Sequence, residues 1–164
     1  YELLQALQRR LAPGTSPPGA PHGEEATALA AILEALGQLD EAEQLYELAI
    51  MVFSQSPTPM QYELCINLNN LAALKQKRGQ AQASEQLYLR ALAMKRHLLG
   101  PQHPDVAMTL NNLAALRAEQ GKPKAAARLY EQALRIFGKT LPGRHPKVLL
   151  CRRNYQRLKA ATSK

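Results

Sequence analysis

The heptapeptide LNNLAAL occupies Leu68–Leu74 and returns unchanged at Leu110–Leu116, 42 residues later. Leucine and alanine are good helix formers, whereas asparagine is a mediocre one whose amide competes for backbone groups. A pair of amides held at the same point of two helices asks for a reason beyond propensity. Working outward, the same interval of 42 relates Gly37, Gly79 and Gly121, then Tyr46, Tyr88 and Tyr130, then Ala49, Ala91 and Ala133. Leu45, Leu87 and Leu129 follow it, as do Ile50, Leu92 and Leu134, and His103-Pro104 returns as His145-Pro146. Agreement at positions of such different chemistry identifies a tandem array.

Each unit reads as two helices. Leu64, Leu68, Leu71 and Leu74 recur at spacings of three and four, as one helix face requires, and Gly79 supplies a residue able to end that helix. A second pattern follows at Leu87, Ala91, Leu92 and Met94. The next helix starts at His103-Pro104-Asp105, where proline suits the first turn and aspartate suits the positive end of the dipole. Pro123 opens a second helix in the same way.

The spacing divides the chain into an amphipathic helix at residues 1–11, a Pro/Gly-rich linker at 12–23, and repeats at 24–56, 57–100 and 101–142. Residues 143–164 form a closing helix, the first half of a fourth unit. A lone polar helix there shields the last apolar face of a stack. Leu3, Leu4, Leu7 and Leu11 map onto Leu45, Tyr46, Ala49 and Phe53 when shifted by 42, so the leading helix reads as the remnant of an earlier unit or as a cap. The missing initiator methionine is read as the mark of a fragment or a processed chain.

The unit HPDVAMTLNNLAALRAEQGKPKAAARLYEQALRIF, with its HPDVA start, LNNLA core, QG corner and tyrosine-bearing second helix, resembles the 42-residue tetratricopeptide repeat of kinesin light chains and their relatives. The resemblance covers roughly Glu24 to Tyr155. It implies an all-α, right-handed solenoid of helix-turn-helix repeats whose first helices line a concave groove.

Catalysis and cofactors find no support in the sequence. There is no phosphate-cradling glycine loop or nucleophile turn, and the paired histidines both precede prolines at helix starts. No Cys/His cluster suggests a metal, so neither an enzyme nor a cofactor is expected. Tyr46, Tyr88 and Tyr130 read as core packing. Cys65 and Cys151 read as packed thiols, which suits a reducing, cytoplasmic setting. No apolar run is long enough to span a membrane.

Charge is unevenly placed. Between Leu11 and Leu74 there are eight acidic residues and no lysine or arginine, while Lys75 to Lys164 holds 19 basic residues against four acidic ones. The net charge of +8 therefore conceals an acidic start and a strongly basic end.

The asparagines fall on a stripe beside the core face. It runs through Ile66, Asn69, Asn70, Ala73 and Lys77, then Met108, Asn111, Asn112, Ala115 and Glu119, then Leu150, Arg153, Asn154 and Arg157. An amide carries an acceptor and two donors on one plane, so it can hold a peptide unit at both its N–H and its C=O. The resemblance assigns that role to Asn69, Asn70, Asn111 and Asn112, while bonding to neighbouring helices is the alternative, above all for the second asparagine of each pair, Asn70 and Asn112. With Lys77, Arg153, Asn154 and Arg157 added, the expected ligand is an extended acidic peptide of a partner protein. Head-to-tail self-association of the acidic and basic ends is a second reading. Nucleic-acid binding is a third, disfavoured by the absence of an evident stacking platform.

Overall fold

In the computed structural model the described residues are 2, 5, 6 and 9, 20–56 and 60–163. Most of the expected leading helix at 1–11 and most of the linker lie outside them. Among the described residues the chain forms helices α1 (Ala20–Ala35), α2 (Leu39–Gln55), α3 (Gln61–Lys77), α4 (Ala81–Leu99), α5 (Pro104–Glu119), α6 (Pro123–Thr140) and α7 (Pro146–Thr162), and no strand. They make three antiparallel pairs and a single closing helix.

The glycine corners turn each pair. After α3, Gly79 adopts φ +74°, its N–H donates to the Gln76 carbonyl at 3.0 Å, and the Gln80 N–H donates to Lys75 at 2.9 Å. Those two bonds are the Schellman closure of a helix end. Gly37 and Gly121 repeat them. At the other end, the His103 and His145 side chains cap α5 and α7, their Nδ1 atoms accepting from the N–H groups of Asp105 and Lys147. These bonds satisfy donors that a helix start leaves open.

Within a pair, residues 12 apart face each other. The buried Ser84 hydroxyl donates to the Ala72 carbonyl at 2.7 Å, a contact possible only where two backbones approach closely. The equivalent positions hold the buried Ala30 with Ala42 and Ala114 with Ala126. Larger side chains fill the space around these small ones. One stretch of core is built on Leu45, Tyr46, Phe53, Leu68 and Leu74, and the adjoining one on Tyr88, Leu110, Leu116, Tyr130 and Phe137. Leu87 packs against both.

The boundary of the first unit differs from the sequence reading. Helix α1 starts at Ala20, inside the stretch read as linker 12–23. Pro21 is tolerated there because the first turn needs no N–H from it. Gly23 is a packing residue, since a Cβ on it would meet the Phe53 ring at 2.7 Å. Cys65 and Cys151 are both buried and unbonded. Burial pushes both thiols up, Cys151 to about 11. No described helix is long and apolar enough to cross a membrane.

Gly79→Val tests the corner. Nothing lies within 4 Å of a Cβ at this site, so the substitution acts on the backbone alone. Left-handed φ costs an L-residue about 1–2 kcal/mol, and more for a β-branched one. The melting temperature should fall while circular dichroism stays helical, and Gly79→Asn should lose less. An unchanged midpoint for Gly79→Val would refute the assignment.

Candidate functional site

The stripe on the first helices divides into two kinds of position. Thr27, Asn69 and Asn111 occupy the first asparagine site of successive units and reach across to the next first helix. The Thr27 hydroxyl lies 2.9 Å from Asn67 Oδ1, and Asn67 Nδ2 donates to the Glu63 carbonyl at 2.9 Å. One repeat on, the Thr109 hydroxyl donates to Asn69 Oδ1 at 3.3 Å. In the closing helix the residue matching Asn67 and Thr109 is Cys151, and the bond moves: Asn154 Nδ2 donates to Asn111 Oδ1 at 3.3 Å. Asn111 is only 2% exposed, and its own Nδ2 points to Asn112 Oδ1 at a long 3.5 Å. These side chains join neighbouring units.

The second asparagine site is Asn70, Asn112 and Asn154, again 42 apart and all half-buried. Asn70 has no hydrogen bond to any described residue. Asn112 keeps both amide hydrogens unused, since its only bond is the one it accepts from Asn111. Asn70 and Asn112 are therefore the amides of this row still free to bind something else, Asn154 being bonded to Asn111.

The charges sort in a similar way. Lys77 is an ion-pair partner of Glu34 on α1, so the cation read as a groove charge is neutralised from the preceding unit. Glu119 accepts from Gln76 Nε2 at 2.8 Å. Arg153 and Arg157 are exposed on α7, with no carboxylate partner among the described residues. Part of the leading acidity is also matched internally, with Asp40 and Glu43 of α2 meeting Arg78 at 2.6 and 3.1 Å and Glu43 pairing with Lys75.

Lys95 is the residue that the stripe analysis missed. It stands where the other units have Phe53 and Phe137, and it is 6% exposed. Its ammonium donates to the Thr109 hydroxyl at 3.1 Å, the same hydroxyl that reaches Asn69. Burial lowers its pKa, with Asp105 and Cys65 opposing that in part. Asp105 is held below the usual carboxylate range although burial alone would raise it, because the Tyr62 hydroxyl at 2.7 Å and the cations Lys95 and Lys147 outweigh burial. The sequence carries this signal, since Phe53, Lys95 and Phe137 are spaced 42 apart and only the middle one is charged.

Two cavities lie along the stripe. One, of about 230 Å³, sits between α1 and α3 over the Phe53 ring, beside Thr27, Ala28 and Ile66. The other, of about 330 Å³, lies between α5 and α7 and is bordered by Ala115, Glu119, Asn154 and Arg157.

Comparison with known proteins agrees with this architecture. Family descriptions of the tetratricopeptide repeat match residues 62–139 and 26–52. No curated protein matches the chain in sequence. Among solved structures, the nearly identical repeats of a Podosopora anserina protein classed as a kinesin light chain superpose with a TM-score of 0.75 at 25% identity, over 99% of this chain and 77% of that one. BtubC of P. vanneervenii gives 0.75 at 22% identity, over 99% and 72%. The Sgt2 tetratricopeptide domain of Aspergillus fumigatus gives 0.61 at 16% identity, over 90% and 85%. The chain is thus an all-α solenoid of the tetratricopeptide repeat family. Its units are of the kinesin-light-chain-like kind, and at that level it is a protein-interaction module.

Lys95→Met probes the buried cation. An apolar side chain of similar length replacing a buried charge is commonly neutral to stabilising, so a gain of about 1 kcal/mol is expected at pH 7. The sign with pH follows from the lowered pKa. Between that folded value and the ordinary 10.5, the unfolded chain binds more protons, so wild-type stability from this group rises with pH. The advantage of the variant should therefore shrink toward pH 10.5 in urea titrations. A lower midpoint for the variant at pH 7 would mean that the ammonium is net stabilising.

Proposed function

We propose that the face of α3, α5 and α7 holds an extended, acidic segment of a partner protein. The observation that carries this reading is the row Asn70, Asn112 and Asn154, half-buried amides at a repeat spacing, of which Asn70 and Asn112 have hydrogen-bonding capacity to spare while Asn69 and Asn111 are used inside the stack. An amide in that state can take a peptide N–H on its oxygen and give a hydrogen to a peptide carbonyl. Such contacts ignore side chains, so they tolerate many sequences. Preference comes from charge: Arg153, Arg157 and the buried Lys95 favour carboxylates, while Glu119 is held by Gln76. Lys77, already paired with Glu34, contributes little to that preference.

Head-to-tail self-association draws on the same uneven charge. It is less favoured because Glu34, Asp40 and Glu43 meet Lys75, Lys77 and Arg78 within the array. Sedimentation at low salt distinguishes the two, since only self-association gives a mass that grows with concentration.

The direct test is capture from an unbiased peptide library, followed by affinities for variants. Asn70→Ala with Asn112→Ala should leave the helices folded and weaken the captured peptides by about 1–3 kcal/mol for each partner left unsatisfied. Asn69→Ala with Asn111→Ala should instead lower the melting temperature, because those amides join units. Arg153→Glu with Arg157→Glu should weaken acidic peptides and flatten their salt dependence. Unchanged affinity in the Asn70 and Asn112 variant would overturn the backbone clamp.

A further inference from the structure

In the first two units one side chain of the first helix answers the buried tyrosine of the second. The Tyr46 hydroxyl donates to Glu34 Oε2 at 3.1 Å, while Lys77 of the following unit pairs with the other oxygen of the same carboxylate. The Tyr88 hydroxyl donates to Gln76 Oε1 at 3.2 Å, and Gln76 Nε2 continues to Glu119. Glu34 and Gln76 are thus bridges between a tyrosine and the next first helix.

The third unit lacks that bridge. The residue matching Glu34 and Gln76 is Ala118, and the one matching Lys77 and Glu119 is Ala161. Two alanines leave the cavity of about 330 Å³ that both of them line. Tyr130 also lines it, is 2% exposed, and has no hydrogen-bond partner among the described residues. Tyr46 and Tyr88, equally buried, both have one. Burial, with Cys151 beside it, pushes the Tyr130 hydroxyl up to about 12, so it is a donor at neutral pH. Arg157, one turn before Ala161, borders the same space and has no carboxylate partner among the described residues.

The geometry points to a subsite for the carboxylate of a glutamate side chain from a partner protein. Its carboxylate accepts from the Tyr130 hydroxyl and the Arg157 guanidinium, as Glu34 accepts from Tyr46 and Lys77. The walls at Ala118, Leu158 and Ala161 cover the two methylenes of the glutamate arm. A chain-terminal carboxylate has no such arm to reach the hydroxyl. Glu119 at the rim is the one opposing charge, and the Gln76 amide draws it toward the second unit. Asn154 borders the same cavity, which puts the subsite beside the amide row. The inference rests on the groove reading and deepens it by assigning one ligand side chain.

The test uses the array described above and small probes followed by the Tyr130 ring and Ala118 methyl resonances. N-acetylglutamate N-methylamide should give saturable shifts, at least fivefold tighter than its glutamine counterpart or than N-acetylalanine, whose carboxylate is a chain end. Tyr130→Phe should weaken the glutamate probe at least fivefold with little change in melting temperature. Ala118→Glu restores the bridge from within, so it should abolish binding while melting no lower than wild type. Equal response to the glutamine probe, tighter binding of N-acetylalanine, or an unaltered response in Tyr130→Phe would each overturn the subsite. The groove is separable from it. Library peptides whose affinity ignores glutamate-to-glutamine replacement refute the subsite alone, whereas probe binding without any peptide capture refutes the groove alone.

Discussion

Apolar faces can slide along one another at little cost, because the hydrophobic effect has no direction. A stack of helix pairs therefore needs something to hold its register, and here that is the polar contact between successive first helices. Asn67 is 1% exposed; its amino group donates to Glu63 on its own helix, but its carbonyl oxygen depends on Thr27, a partner set by that register. A slip of one turn would leave a buried amide unpaired, at about 1–3 kcal/mol. The offsets form a consistent set: 12 residues across a pair at Ser84–Ala72, 40 between first helices at Thr27–Asn67 and Thr109–Asn69, and 43 at Lys77–Glu34, Gln76–Glu119 and Asn154–Asn111. The last three share an offset that differs from 40 by one helical step of three, so they belong to the same seam.

The seam decides which groups remain for a ligand. An asparagine turned toward it is a joint, and its neighbour, about 100° further round the helix, is not. This is why the pair NN contains one side chain of each kind. The lone exception is instructive. With Cys151 unable to serve as Asn67 and Thr109 do, the third junction recruits Asn154, so the last member of the exposed row also works as a joint.

Much of the fold was legible before any coordinates. Gly37, Gly79 and Gly121 announced their corners because only a left-handed residue closes a helix that way, and His103 and His145 announced helix starts through the prolines after them. Gly23 misled, since a glycine pressed against an aromatic ring and a glycine in a linker are the same letter. The site was legible only in part. The stripe that holds Asn69, Asn70, Asn111 and Asn112 follows from helical periodicity, but which amide of each pair is engaged depends on a neighbour 40 or 43 residues away. Lys77 failed for the same reason, its partner Glu34 lying one unit back. Lys95, by contrast, was in plain view as a lysine in a column of phenylalanines.

That contrast suggests where function sits in an array of this kind. Positions that repeat build the stack: the corner glycines, the small residues at the pair crossing, the tyrosines. A departure from the repeat either leaves a group without its partner or sets a charge where an apolar side chain would pack better, and the stack gains nothing from it. Ala118 deprives Tyr130 of the acceptor that Tyr46 and Tyr88 possess. Lys95 buries a charge beneath the row of amides, where a phenylalanine serves the other two units. Ala118 lies on α5, and Lys95 reaches from α4 to Thr109 of that same first helix, both in the basic part of the chain. The groove proposed above accounts for their position near Asn70 and Asn112, amides with hydrogen-bonding capacity to spare.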